Sequence, residues 1–398
     1  MLEPVLITGP NFSGRSHALR TLLVENGRHG FFVGPYAEAA LSGLSSAVAD
    51  EIEIYRSLKP LAQRPLFIGV ETADAVVRRP ATLSGGEQAL LALHCFALSD
   101  YDAIGVDTAL EQLDRLNRER ALNFLNACGD ANLRAVVIDN RVSQRDGWTI
   151  CRSVPHDVGF ELDFPGLIAM LRPQSAPVLD VLGLCFRYRS GHEIFRHVDL
   201  CLAPGRAYRL TGPNGSGKTT FFKILAGVLT PTGGRLLRNG APYRPSREGN
   251  RVFALSMQNP DHQWCGATLA EDMARRKAQL NPVASARFPS LPVLASLAHK
   301  LGWTSLDQPL YEFPLAARKR LSWLWPLAGV MPWVFLDEPS VGQDQATRHE
   351  LARAITHMAK IGHGVMVVTH DDEFAAEIPH VELRIQDRTI IQQVVPVG

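Results

Sequence analysis

The sequence has almost no charge of one sign to spare. Lysine and arginine number 41 against 40 aspartate and glutamate, a formal net charge of +1. That balance gives no electrostatic case for nucleic acid as a direct partner, because nucleic-acid binders concentrate basic residues. Cysteine is scarce: six residues stand at irregular spacings, with no Cys-x-x-Cys pair. This argues against a disulfide framework or a zinc site and suits a reducing compartment. Long apolar runs are missing as well. The longest uncharged apolar run, Leu321 to Leu336, is sixteen residues, is interrupted by Pro326 and Pro332, and is too short to span a bilayer. It reads instead as a buried helix leading into a buried strand. Met1-Leu2-Glu3-Pro4 leads directly into a strand without a signal-peptide pattern, so membrane association is expected only through a partner. With 46% hydrophobic and 20% charged residues over 398 positions, the chain has the composition and length for two globular domains.

What is present is a damaged repeat. Residues 212–219 read Gly-Pro-Asn-Gly-Ser-Gly-Lys-Thr, and residues 9–16 read Gly-Pro-Asn-Phe-Ser-Gly-Arg-Ser. Both follow a short apolar strand, Ala207–Leu210 and Val5–Thr8. From Gly9 to Gly212 the offset is 203 residues, whereas Ser84 to Pro314, Asp107 to Asp337 and Asp114 to Asp344 are each 230 apart. Three landmarks on one register mark an internal repeat of domain size, with 27 extra residues between the loop and the later landmarks of the second half. Strands alternate with helices throughout, which calls for parallel sheets with crossover helices. Residues 164–177, with three prolines and an apolar middle, read as a linker between halves 1–163 and 178–398. About 30 residues of strand pattern, Pro177 to Arg209, precede the loop of the second half; the first half has almost nothing before Gly9.

The second loop carries the chemistry of phosphate binding. Gly212, Asn214, Gly215, Ser216 and Gly217 let backbone N–H groups curl around a phosphate at a helix start. Lys218 reaches its oxygens, Thr219 can ligate Mg²⁺, and Thr220 follows in the helix. Val334-Phe335-Leu336-Asp337-Glu338 is an apolar strand ending in two carboxylates. Such an end is costly unless a cation or a water uses the charge, although a helix N-cap is the plainer alternative. Asp337 suits Mg²⁺ and Glu338 suits orienting or deprotonating a water. In the first half Arg15 and Ser16 replace the lysine and threonine, Asp107 remains, Thr108 stands where Glu338 does, and Asn140 takes the place of His370. An arginine keeps the charge as a planar fork rather than a compact ammonium, and a threonine cannot act as a carboxylate base. Leu83-Ser84-Gly85-Gly86-Glu87-Gln88 is intact only in the first half, with Phe313-Pro314-Leu315-Ala316-Ala317 in its place in the second. Alone, Ser84 with Glu87 is a capping box; beside two phosphate loops it is an anion site at a helix start.

Together these runs resemble a tandem ABC-type ATPase. The resemblance implies an α/β fold of two P-loop NTPase domains with mostly parallel sheets, and an antiparallel β subdomain opening the second. It implies ATP hydrolysis with Mg²⁺, Tyr188 against the adenine, Gln258 as metal and water sensor, and His370 as γ-phosphate switch. Ordinary strand-tyrosine and loop-glutamine readings stand beside the first two. It also implies that Ser84, Gly85, Gly86 and Gln88 serve nucleotide held by Gly212–Thr220, Glu338 and His370, so that the two halves pair within one chain. The other pairing is defective on both faces. The stretch Gln258-Asn259-Pro260-Asp261-His262-Gln263 with Gly266–Asp272, echoed by Ser42–Ile52, resembles the energy-coupling-factor subgroup of ABC importers. That resemblance implies a transmembrane coupling subunit and a small substrate-binding membrane protein as partners. It also implies a place on the cytoplasmic face of the membrane and a vitamin, vitamin precursor or transition-metal ion as cargo. A soluble tandem ABC protein acting on ribosomes or nucleic acid is the alternative.

Overall fold

The computed structural model describes residues 2–393 apart from 10, 12, 59–63, 70–75, 143, 154–175, 190, 249–251, 281–284, 286–287, 289, 301–302, 304, 314 and 328–330. The expected linker at 164–177 therefore lies, but for its last two residues, outside the described residues, as does Pro314. The chain forms two compact units, Met1–Val158 with Val341–Gln345, and Gly159–Ser340 with Ala346–Gly398.

The first unit is built on five strands: β1 Val5–Thr8, β2 Gly30–Val33, β3 Ala103–Asp107, β4 Arg134–Ile138 and β5 Thr149–Arg152. They form one parallel sheet in the order β2-β3-β4-β1-β5. β3 and β4 are nearly continuous apolar runs because helices cover both faces of a parallel sheet. Gly105 allows the helix Arg15–Val24 to sit close: a Cβ there would lie 2.6 Å from a Leu19 methyl. The core gathers around Leu91, Phe96, Val106 and Leu125.

The second unit repeats this order. Its strands are β6 Leu179–Arg187, β7 Glu193–Leu202, β8 Ala207–Thr211, β9 Gly233–Arg238, β10 Ala241–Pro242, β11 Phe253–Ser256, β12 Trp333–Asp337, β13 Gly364–Val368, β14 His380–Gln386 and β15 Thr389–Gln393. β11-β12-β13-β8-β14 run parallel, in the arrangement of β2-β3-β4-β1-β5, and β15 closes the edge antiparallel. A separate antiparallel sheet, β10-β9-β6-β7, uses the strand pattern that opens this half. The fold class is thus the expected one. The run Leu321–Leu336 is less regular than one helix and a strand. The helix Leu315–Ser322 ends, a second one covers Leu324–Leu327, and β12 follows. Pro326 fits in that second piece because the first turn of a helix has no need of its N–H. In both units the loop-bearing strand lies two places from the strand ending in aspartate, so both C-terminal ends open on one edge, where ligands of such sheets bind.

Candidate nucleotide site

In the second unit β8 ends at Thr211 and the chain turns sharply. Gly212 has φ 151° and a Cβ there would meet Ser216 Oγ at 2.8 Å; Gly217 has φ 105° and a Cβ would meet an Ile194 methyl at 2.3 Å. No other residue fits either position without a shift. Gly217 caps the helix Lys218–Leu225, and Gly215 at φ 76° completes the curl with Asn214 and Ser216. Lys218 Nζ arches over the loop, donating to the carbonyls of Gly212 (2.8 Å) and Pro213 (3.1 Å). The Thr219 hydroxyl donates to Asp337 Oδ2 at 2.7 Å, and Thr220 Oγ1 lies 2.9 Å from the Tyr188 hydroxyl. Tyr188, just beyond β6, packs edge-on against Phe186 and keeps its ring partly exposed beside the loop helix.

β12 delivers two buried carboxylates. Burial pushes the Asp337 carboxyl above its usual range, opposed by the Thr219 hydroxyl and by Lys319, Lys218 and Lys223. Glu338 is held at φ 46°, a left-handed conformation that side chains rarely adopt, with its N–H on the Val368 carbonyl. That turn carries its carboxylate to within 3.7 Å of His370 Nε2, just past β13. Gln258 leaves β11 half-buried, and its carbonyl accepts from Lys319 Nζ at 2.7 Å. Lys218, Thr219, Asp337, Glu338, His370 and Gln258 thus stand together at one edge of this sheet.

The first unit has the same frame with different contents. Gly9 and Gly14 take φ of 145° and 77°, and the Ser16 hydroxyl donates to Asp107 Oδ2 at 2.6 Å, as Thr219 does to Asp337. Burial raises the Asp107 carboxyl too, against the pull of Ser16, Arg15, Arg20 and Thr108. Thr108 repeats the left-handed turn at φ 55°, its N–H on the Ile138 carbonyl, but its hydroxyl only donates back to the Asp107 carbonyl. Arg15 is buried and forked between Asn140 Oδ1 (2.5 Å) and Asn11 Oδ1 (2.6 Å). Burial lowers its pKa, and the carboxylates of Glu111, Asp107 and Asp344 hold it up. Glu111, which the sequence did not single out, accepts from the N–H and amide of Asn140 at 2.8 and 2.9 Å and from the N–H of Gly342 at 2.8 Å. Ser84 caps the helix Gly85–Leu98 in the capping-box form, with Glu87 accepting from its N–H at 2.7 Å. Buried Gln88 donates to the Pro80 carbonyl.

The two stretches that carry the importer-like pattern share a device that sequence reading passed over. Asp272, fully buried, accepts from the N–H of Cys265 (2.6 Å), from Trp325 Nε1 (3.0 Å) and from Arg276 Nε (2.7 Å). Glu51, also fully buried, accepts from the N–H and hydroxyl of Ser42 (2.5 and 2.7 Å) and from the Ser45 hydroxyl (2.5 Å). Each acid sits in the first turns of a helix and grips the loop in front of it. Only the loop-facing partners, absent from any local pattern, reveal the role.

A family model for the ABC transporter matches residues 195–362. A Streptomyces coelicolor protein named as an ABC transporter ATP-binding protein is 34% identical over 231 residues, 56% of this chain and 86% of that protein. The chain belongs to the ABC transporter ATP-binding proteins. The energy-coupling factor transporter ATP-binding protein of Methanocaldococcus jannaschii is 27% identical over 202 residues, 49% of this chain and 70% of that one. Among solved structures, the RNase-L inhibitor matches in fold with a TM-score of 0.55 at 17% identity, covering 98% of this chain and 85% of that one. An ABC ATPase hydrolyses ATP with Mg²⁺, and the oxygen donors of Thr219 and Asp337, 2.7 Å apart, are the hard ligands that this ion takes. Among the described residues no helix is long and apolar enough to cross a membrane, and no cluster of three His, Cys, Asp or Glu could hold another metal.

Proposed function

We propose that this ABC ATPase drives an importer of the energy-coupling-factor type, and that a single competent ATP site powers it. The observation that supports one site is the difference between two matching strand ends. Asp337-Glu338 with His370 at 3.7 Å can orient and activate a water; Asp107-Thr108 with Asn140 bound to Arg15 has no such base. Lys218 and the loop N–H groups hold the β- and γ-phosphates, Glu338 positions the water, and His370 senses the γ-phosphate. Tyr188 flanks the adenine and Gln258 reports on the metal. Thr219, Gln258 and Asp337 would hold Mg²⁺, which neutralises charge building on the phosphates. On sequence grounds the intact Ser84, Gly85, Gly86 and Gln88 serve this site, while the first loop is idle.

The importer reading draws on the stretches Gln258–Asp272 and Ser42–Ile52 and on the kinship with the methanogen energy-coupling protein. It gives the chain a peripheral place on the cytoplasmic face of a membrane, under a transmembrane coupling subunit and a small substrate-binding membrane protein, and a micronutrient as cargo. The buried acids Asp272 and Glu51 then hold the two loops on which those subunits rest. Gentle solubilisation of membranes from cells carrying a tagged copy tests this. A coupling subunit and a small integral membrane protein should co-purify. Ribosomal or nucleic-acid-processing proteins from the soluble fraction would instead favour the soluble tandem class, which the whole-chain likeness to the RNase-L inhibitor reaches in fold alone.

A further inference from the structure

We propose that Lys319 is a positioning residue for ATP hydrolysis, fastening the Gln258 loop to the strand end that presents Asp337 and Glu338. The proposal rests on the one-site reading above. Lys319 belongs to the helix Leu315–Ser322, two residues past the run Phe313–Ala317 that replaces a signature motif, yet it is only 2% exposed. Its three ammonium protons have three takers: the carbonyls of Met257 (3.0 Å), Gln258 (2.7 Å) and Asp337 (3.2 Å). A buried lysine whose every donor ends on main chain is an expensive way to fill space, because an apolar side chain would do so without desolvating a charge.

Register shows what that expense secures. The β11–β12 ladder ends at the pair Ser256 and Leu336. One residue further, Met257 and Asp337 have no ladder bond to share. The two strands part there, one toward Gln258 and the other toward Glu338. The ammonium bridges this gap and replaces the missing rungs with charge-assisted bonds, which are stronger than neutral ones. A shift of either strand end would move Gln258 relative to Glu338 and hence the water relative to the γ-phosphate. The first half makes the tie differently. There the β2–β3 ladder ends at Val33 and Val106 in the same way, but the position 230 residues before Lys319 is Ala89, whose side chain has no donor. The Pro35 carbonyl, which matches that of Gln258, accepts instead from the neutral amide of Gln112, and among the described residues no charged donor stands in for Lys319.

The test compares full-length wild type, Lys319→Met, Lys319→Arg and Glu338→Gln, reading phosphate release at saturating ATP and Mg²⁺ and the affinity for a fluorescent ATP analogue. Misplacement of reacting groups by about 1 Å costs on the order of a hundredfold, so Lys319→Met should lose roughly ten- to a hundredfold in kcat. Its nucleotide affinity should stay within about threefold, since no bond from Lys319 reaches the phosphate loop, and Lys319→Arg should recover part of the kcat. Should Lys319→Met not fold, Lys319→Gln, which keeps an amide donor, carries the same comparison. A wild-type kcat in Lys319→Met, or a parallel fall of kcat and affinity, overturns the proposal. Absence of any ATPase that Glu338→Gln removes overturns the one-site reading and this proposal with it.

Discussion

At the scale of single residues, activity should follow the strand ends. Glu338→Gln keeps the shape of the side chain and removes its basicity. It should lower ATPase by roughly a hundredfold or more, the usual loss when a general base is removed. Lys218→Ala should do as much, through loss of phosphate contacts. Arg15→Ala should leave most of the rate, because Arg15 already spends its guanidinium on Asn11 and Asn140. Phosphate release by the three variants decides this, and an equal loss from Arg15→Ala would end the one-site reading. Glu111 yields a pH dependence. Burial, then the neighbouring Asp139, lifts its carboxyl to about 7 from an ordinary 4.5. Between those values the folded chain keeps a proton that the unfolded chain has released. The stabilisation from this group is therefore complete below pH 4.5 and is lost as pH rises through 7. Thermal unfolding should show Glu111→Gln gaining on wild type from pH 5 to pH 8; a constant difference between the two would show that Glu111 does not titrate in this window.

At the scale of elements, the legible parts were those whose backbone chemistry demands fixed residues at fixed spacing. A loop that wraps a phosphate needs glycine at Gly212 and Gly217, where a Cβ collides, so the motif is written in the sequence. The strand-end carboxylates and the capping serine are legible for the same reason. Lys319, Glu111, Asp272 and Glu51 were not, because burial decides their roles and nothing in a local pattern says that Lys319 and Arg320 turn inward while Arg318 does not. Tertiary packing also split Leu321–Leu336 into two short helices and a strand. The acids Asp272 and Glu51 make a prediction about loops. Asp272→Ala would strand the Cys265 N–H and Trp325 Nε1 and take one partner from Arg276, whose guanidinium keeps the Gln263 carbonyl, a change of the kind that costs about 3 kcal/mol. Denaturant unfolding should show that loss, while nucleotide affinity should hold, because none of these partners belongs to the phosphate loop. Full stability in Asp272→Ala would mean that the loop does not depend on it.

For the whole molecule the question is how many nucleotides one chain holds. Both loops keep their first and last glycines and the hydroxyl-to-aspartate bond, which favours two, although Phe12 stands where Gly215 does. The contents differ. In the second unit Lys218 rests on two loop carbonyls, weak neutral acceptors that phosphate oxygens readily replace. In the first unit Arg15 is buried between two amides, and the Asn11 N–H faces the Asp344 carboxylate at 3.0 Å within the same unit. A loop N–H that already meets a carboxylate is answered by an anion of the protein's own, and a triphosphate arriving there would bring charge against Glu111 and Asp344 as well. Equilibrium binding of an ATP analogue to the Glu338→Gln chain, which holds nucleotide without consuming it, should therefore saturate at one per chain. Asp344→Asn removes the competing charge and should be the change that exposes a second, weaker site. Two tight sites in the Glu338→Gln chain would mean that Arg15 yields to phosphate and that the first loop still binds nucleotide.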